Sequence, residues 1–146
     1  MDPSSFITVD DSHWPLVVAT FVGEPTLQQQ EEYLQRSLSY LRRGEKFLSI
    51  LDARAVRMMT AEHRRKVAEF QLQHEALLRA QVVGCASVID SPVMQLASSL
   101  LQFFRPPPYP NVTTRTLPEA AMWVAVRLEG LGLHPLAEDV RRHYGA

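Results

Sequence analysis

The order of β-type and α-type segments constrains the fold of this chain more than any other feature of its sequence. Short runs of β-branched and aromatic residues alternate with stretches in which apolar residues recur at helical spacing. The predicted strands cover residues 6–10, 16–22, 47–52, 81–89 and 112–116, and the predicted helices begin near residues 26, 60, 91, 116 and 135. The order β-β-α-β-α-β-α-β-α-α predicts an α/β fold: an N-terminal hairpin, then alternating strands and helices, in a mixed β-sheet of about five strands with helices packed on it.

Threonines mark the expected starts of three helices. Thr26 with Gln29, and Thr116 with Glu119, have the spacing of a capping box, and Thr60 precedes the second helix. We expect each threonine hydroxyl to accept a hydrogen bond from a backbone N–H of the first helical turn.

Length and composition predict one domain over residues 1–146, with a core over about 6–131 and a C-terminal helix over about 135–144. The chain has the usual size of a domain with a single hydrophobic core, and hydrophobic residues make up 46% of it. Its formal net charge is −1. Because a nucleic-acid backbone or an anionic membrane normally needs a basic surface, we expect no nucleic-acid partner.

The N-terminal residues and the single cysteine predict a cytoplasmic protein. Residues 1–5 lack the basic and apolar stretches of a signal peptide, and no apolar run approaches the roughly 20 residues of a membrane span. Cys85 lies in an apolar run, where we expect it to be buried, and it can form no internal disulfide.

Motifs for nucleotide binding, hydrolysis and metal binding are missing from the sequence. The glycines stand at positions 23, 44, 84, 130, 132 and 145, which allows neither GxGxxG nor a P-loop, and GxSxG and HExxH are also lacking. His63 and His74 are separated by roughly 16 Å along the second helix, which we expect to run continuously past Leu77, so they cannot share one metal ion. We expect His74 to pack beside Phe70. The sequence therefore predicts neither an enzyme nor a cofactor or metal site.

Asp52 is the acidic residue with the most distinctive position. It ends the predicted third strand, at the edge where α/β sheets present functional groups. It either accepts hydrogen bonds from backbone amides of the following turn or contacts a partner or ligand. Arg54 and Arg57, in the loop expected next, either bind an anion or remain solvated.

Four segments in this order resemble the STAS family, the sulphate-transporter and anti-sigma-factor-antagonist domains, and especially its SpoIIAA-like branch of stand-alone bacterial proteins. They are Trp14–Val18, Ser49–Arg54, Ile89–Pro92 and Leu117–Trp123. The resemblance covers roughly residues 6–131. It implies a non-enzymatic regulatory protein that binds a protein partner through the loop after the third strand and the start of the following helix.

The resemblance places the partner-binding surface on residues about 54–66. The candidate residues are Asp52, Arg54, Arg57, Met58, Thr60, Glu62 and His63. In the anti-sigma antagonists a serine at this helix start is phosphorylated, and Glu62 stands at its position here. Glu62 cannot be phosphorylated, but it places a permanent negative charge near the helix N-terminus. We therefore expect the surface without the phosphoswitch.

Two functions from different classes stay open. The first is a regulatory or scaffolding module that binds a protein partner, with homo-oligomerisation also open. The alternative is a carrier of a small apolar ligand or lipid, because the related lipid-exchange fold buries such ligands between a sheet and helices. A ligand-sized cavity beneath the helix predicted over 92–104 favours the carrier, whereas a filled core favours the protein binder.

Overall fold

A computed structural model describes residues 4–97 and 106–145 of the chain. Its strands are β1 (Phe6–His13), β2 (Leu16–Gly23), β3 (Phe47–Val56), β4 (Val82–Val88) and β5 (Asn111–Thr114). Its helices are α1 (Leu27–Leu41), α2 (Ala61–Gln73), α3 (Glu75–Gln81), α4 over 92–97, α5 (Leu117–Gly130) and α6 (His134–Tyr144). The predicted α/β fold is confirmed. The rest of the helix predicted over 92–104 lies outside the described residues.

The five strands form one mixed sheet in the order β1-β2-β3-β4-β5. β1 pairs antiparallel with β2, as expected for the predicted hairpin, and the other three pairs are parallel. Parallel neighbours need long crossover connections, and α1 and the α2–α3 segment provide them between β2, β3 and β4. No helix in the described part of the chain is both long and apolar enough to cross a bilayer.

One side of the sheet is closed by α5 and α6. Side chains alternate along a strand, so Val18, Ile50 and Ala86 point to this same side of their three strands. Helix α5 buries Val124 and Leu128 against them without leaving either accessible to solvent. This half of the core is densely filled.

The opposite side of the sheet faces α1, α2 and α3. A second buried cluster joins Val17, Leu38, Tyr40, Leu41, Phe47, Leu78 and Val82. It lies at the N-terminal ends of β3 and β4, where it packs α1 and α3 against the sheet. Near the centre of this side, the strands carry several small residues in place of large apolar ones.

The predicted capping box of α1 is present. Thr26 Oγ1 accepts a hydrogen bond from the Gln29 N–H at 3.1 Å, and Gln29 Oε1 accepts one from the Thr26 N–H at 2.8 Å. At α5, Thr116 Oγ1 accepts from the Glu119 N–H at 3.3 Å, but the Glu119 carboxylate bonds to the Thr116 hydroxyl instead of its backbone N–H. Only half of the second predicted box is therefore formed.

The boundaries of β1, β3 and α2 differ from the sequence prediction. Strand β1, expected over residues 6–10, continues to His13. Strand β3 continues past Asp52 to Val56, because Val56 still pairs with Gly23 of β2. The helix expected to run past Leu77 is interrupted at His74, whose φ of −117° and ψ of 25° separate α2 from α3. The His74 ring does pack against Phe70, with 4.8 Å between ring centroids.

Candidate functional site

Small side chains line the side of the sheet that faces α1 and α2. They are Ala19 on β2, Ser49 and Ala53 on β3, and Cys85 and Ser87 on β4. Strand pairing places Ser49 beside Cys85. Valine or leucine at these positions would fill the space up to the helices, whereas the small residues leave it open.

A cavity of about 350 Å³ occupies this space. The sheet forms its floor, and α1, α2 and α4 contribute to its walls through Leu34, Val67 and Met94 respectively. Its lining is mainly apolar. Small-molecule sites in proteins have volumes of about 300–1,000 Å³ and combine apolar walls with a few polar groups, so this cavity has the size and lining of a ligand site.

Two tyrosines bring hydroxyl groups to the cavity wall. Tyr33 of α1 forms a hydrogen bond with Ser37, one helical turn further along. Tyr109, which precedes β5, accepts a hydrogen bond from Gln71 Nε2 at 3.3 Å. The Tyr109 proton has no acceptor among the described residues, and it can be donated to a bound molecule.

Burial keeps the thiol and the two phenol groups of the cavity wall uncharged. It raises the pKa of the Cys85 thiol to about 11, with a smaller opposing effect from the hydrogen bond to Ser49. Burial also raises the pKa values of Tyr33 and Tyr109 above the usual range of tyrosine. At neutral pH the thiol and both phenols are therefore protonated, which favours binding over nucleophilic chemistry.

Gln30 of α1 is a buried polar residue of the cavity wall, with 3% of its surface exposed. Its Nε2 donates to the backbone carbonyl of His63 at 2.9 Å, and this bond sets the orientation of the amide. Gln30 Oε1 is enclosed by protein atoms and has no hydrogen-bond partner among the described residues. An unpaired buried acceptor costs about 1–3 kcal/mol, so this oxygen lowers the stability of the cavity wall.

Arg36 is the residue with a permanent charge among the described lining residues. Its Nε donates to the Tyr40 hydroxyl at 2.9 Å, its guanidinium lies 3.8 Å from Asp11, and the side chain is half exposed. A second depression, of about 230 Å³, lies between β1 and α1 and shares Arg36, Tyr33, Ile7 and Val9 with the cavity. Arg36 thus stands where the cavity meets the surface.

The start of α2 is built around Thr60 and His63. Thr60 Oγ1 accepts from the His63 N–H at 3.2 Å, while His63 Nδ1 lies 2.7 Å from the Thr60 hydroxyl and 3.3 Å from its backbone N–H. His63 Nε2 is 2.8 Å from the Pro25 carbonyl oxygen, which only accepts, so Nε2 carries the proton. His63 is buried, with 7% of its surface exposed. His63 therefore lies beneath the surface on which we expected it, and it is among the residues that line the cavity.

Asp52 and Arg54 form a local pair inside β3, not in a loop. Asp52 Oδ1 accepts from the Arg54 backbone N–H at 3.2 Å and from its Nε at 2.9 Å, and Oδ2 accepts from a terminal guanidinium nitrogen at 2.7 Å. These bonds hold the pKa of Asp52 below its usual value. Both oxygens of the buried carboxylate are thus engaged within the chain.

The other expected partner-binding residues reach the surface. Arg57 and Met58 are exposed, Met58 to 55%, and Thr60 is exposed at the helix start. Glu62 is half exposed and paired with Arg65, one turn further along α2. The chain therefore presents an apolar side chain among basic and acidic groups, while Asp52 and His63 lie beneath this surface.

Tyr33, Tyr109 and Gln30 are site residues that the sequence analysis missed. The sequence carried a weak signal for the cavity: Ser49 and Ala53 stand at alternate positions of β3, and Cys85 and Ser87 at alternate positions of β4, but small residues also stand between the latter two. Within residues 4–97 and 106–145, no group of three or more His, Cys, Asp or Glu side chains is arranged to hold a metal ion.

The chain has a SpoIIAA-like fold. Among solved structures it is similar to an uncharacterized protein of the DUF3478 family from Shewanella loihica PV-4, described as having a SpoIIAA-like fold. The TM-score is 0.57 and the identity 13%, over 76% of this chain and 89% of that chain. No family model and no curated protein matches the sequence. The resemblance predicted from sequence is thus confirmed at the level of the fold.

Proposed function

We propose that this protein binds a small apolar molecule in the cavity between its sheet and helices α1, α2 and α4. The observation that carries the proposal is the contrast between the two sides of one sheet. The side with Val18 and Ile50 is filled by α5, whereas the side with Ser49 and Cys85 faces about 350 Å³ of mainly apolar space. Because protein interiors are normally close-packed and voids are destabilising, an apolar occupant explains this space.

The proposed role is binding without a chemical step, as a carrier or as a regulatory module that responds to a ligand. The neutral Cys85 thiol, with a pKa of about 11, is not activated as a nucleophile. The imidazole of His63 already bonds to Thr60 and Pro25 through its two nitrogens. The side chains best placed for chemistry are thus protonated or engaged in the structure.

Calorimetric titration with 1-decanol tests the proposal. We expect the wild-type protein to bind one molecule and Ser49→Leu to bind it at least tenfold more weakly, because the leucine side chain enters the cavity. Val126→Leu is the matched control: Val126 is 60% exposed on α5, on the other side of the sheet, and its replacement should leave binding unchanged. Equal affinity of the wild type and folded Ser49→Leu, or no saturable binding by the wild type, would contradict the proposal.

Partner binding through residues 54–66 is a second candidate function. The observation that favours it is Met58, an exposed apolar side chain beside Arg57 and close in sequence to the Glu62–Arg65 pair. Methionine and arginine are enriched in protein interfaces. A partner recovered with the wild-type protein and titrated against Glu62→Lys tests this candidate, and we expect weaker binding by the variant.

A further inference from the structure

We propose that the ligand of the cavity is an uncharged amphiphile: an apolar body of about a dozen non-hydrogen atoms with one hydroxyl or carbonyl group. This inference rests on the proposed ligand-binding function and adds the chemical class of the ligand. The size follows from the volume of about 350 Å³, since a water molecule occupies about 30 Å³ in the liquid and a methylene group is similar in size. 1-Decanol, with eleven non-hydrogen atoms, matches it.

The ligand carries no charge because the described lining residues of the cavity offer no available counter-ion. None of the described lining residues is Asp or Glu, so a buried ammonium group would have no carboxylate partner. Arg36 is held by the Tyr40 hydroxyl and lies near Asp11 at the half-exposed edge, so a carboxylate inside the cavity would have no free cation. Burying a charge without a partner costs far more than burying a neutral polar group.

The polar group of the ligand is expected at Tyr109. The Tyr109 oxygen accepts from Gln71 Nε2, which leaves the phenol proton to donate to a ligand oxygen. The high pKa of Tyr109 agrees with this protonated state. The oxygen of an alcohol or of a carbonyl compound can accept this proton.

The test compares four ten-carbon compounds, namely 1-decanol, decane, decanoate and decylamine, delivered from the same cyclodextrin solution at pH 7.4. We expect 1-decanol to bind the wild-type protein at least tenfold more tightly than decanoate and decylamine, and about threefold to tenfold more tightly than decane. Tyr109→Phe keeps the ring and removes the hydroxyl. It should therefore weaken the binding of 1-decanol by about threefold to tenfold and leave the binding of decane unchanged. Tyr144→Phe is the control, because Tyr144 lies on α6 and bonds to Asp10.

The possible outcomes separate this inference from the proposed function. Decanoate or decylamine binding as tightly as 1-decanol would overturn the uncharged class. Equal binding of decane and 1-decanol, together with no effect of Tyr109→Phe, would overturn the polar contact while the apolar site remains. Failure of all four compounds to bind would overturn the ligand-binding function itself.

Discussion

The carboxylate of Asp52 shows how one side chain stabilises the strand that carries the candidate surface. It accepts three hydrogen bonds from the backbone and guanidinium of Arg54, its neighbour on the same side of β3. The sequence left two alternatives open, a contact with backbone amides of the following turn or a contact with a partner or ligand, and one of the three bonds is to a backbone amide. The other two come from an arginine side chain whose rotamer cannot be derived from sequence, since it depends on local packing and solvent exposure.

Asp52→Asn should lower the free energy of unfolding by about 1–2 kcal/mol at pH 7, because it removes the charge from these hydrogen bonds. The hydrogen bonds from Arg54 hold the pKa of Asp52 in the folded protein below 3.8, the ordinary value of an aspartate. The stabilisation is therefore present above that value and is lost as the pH falls through the lower, folded pKa. Urea denaturation at pH 7 and near pH 3 measures the difference, which should shrink in acid.

The matched control for Asp52→Asn is Asp139→Asn on α6. Asp139 pairs with Arg142 on the exposed side of the helix, and such pairs contribute little. A stability difference between wild type and Asp52→Asn that is the same at both pH values would show that the charge is not responsible. Unchanged stability with lost partner binding would assign Asp52 to recognition.

At the scale of elements, the starts of helices could be predicted from the sequence, whereas the end of β3 and the interruption at His74 could not. Thr26 and Thr60 begin α1 and α2 as expected, because a helix N-cap is a local interaction within four residues. The end of β3 depends on where β2 continues to pair with it, and the interruption at His74 has no glycine or proline to announce it. The end of β3 thus arises from pairing between two strands that are distant in sequence.

Glu62→Lys should destabilise α2 by about 0.3–1 kcal/mol, because a positive charge near the helix N-terminus opposes the helix dipole. The pair with Arg65 is also lost. If residues 54–66 bind a partner, the affinity measured at equal folded fraction should fall by more than this stability change. Glu69→Lys is the control: Glu69 also pairs with Arg65 but lies two turns into the helix. Equal affinities of wild type and Glu62→Lys would show that this helix start caps α2 and does not bind the partner.

At the scale of the whole molecule, the sheet separates a filled half of the core from a half that contains the cavity. The sequence predicted both the sheet and the helices, and small residues such as Ser49 and Cys85 were visible in it. It did not predict the cavity, because the volume depends on how far α1 and α2 stand from the sheet. Larger residues at the margin, among them Leu38 and Leu41 of α1 and Phe47 of β3, pack α1 against the sheet.

The hydrogen bonds of His63 connect the cavity wall to the start of α2. The His63 carbonyl accepts from Gln30, while its ring bonds to Thr60 and to the Pro25 carbonyl. Met59, next to the exposed Met58, also lines the cavity. The two candidate functions therefore use neighbouring parts of one structure, the cavity on the inside and the 54–66 surface on the outside.

The most direct measurement of ligand binding is the anomalous scattering of bromine in crystals grown with 10-bromo-1-decanol. Binding in the cavity predicts one strong bromine peak between the sheet and α1, within van der Waals distance of side chains such as Leu34 and Val67, and no such peak in crystals of Ser49→Leu. Bromine found only at the outer surface, with the space beside Ser49 and Cys85 holding ordered water alone, would contradict the central claim that this cavity is a ligand site.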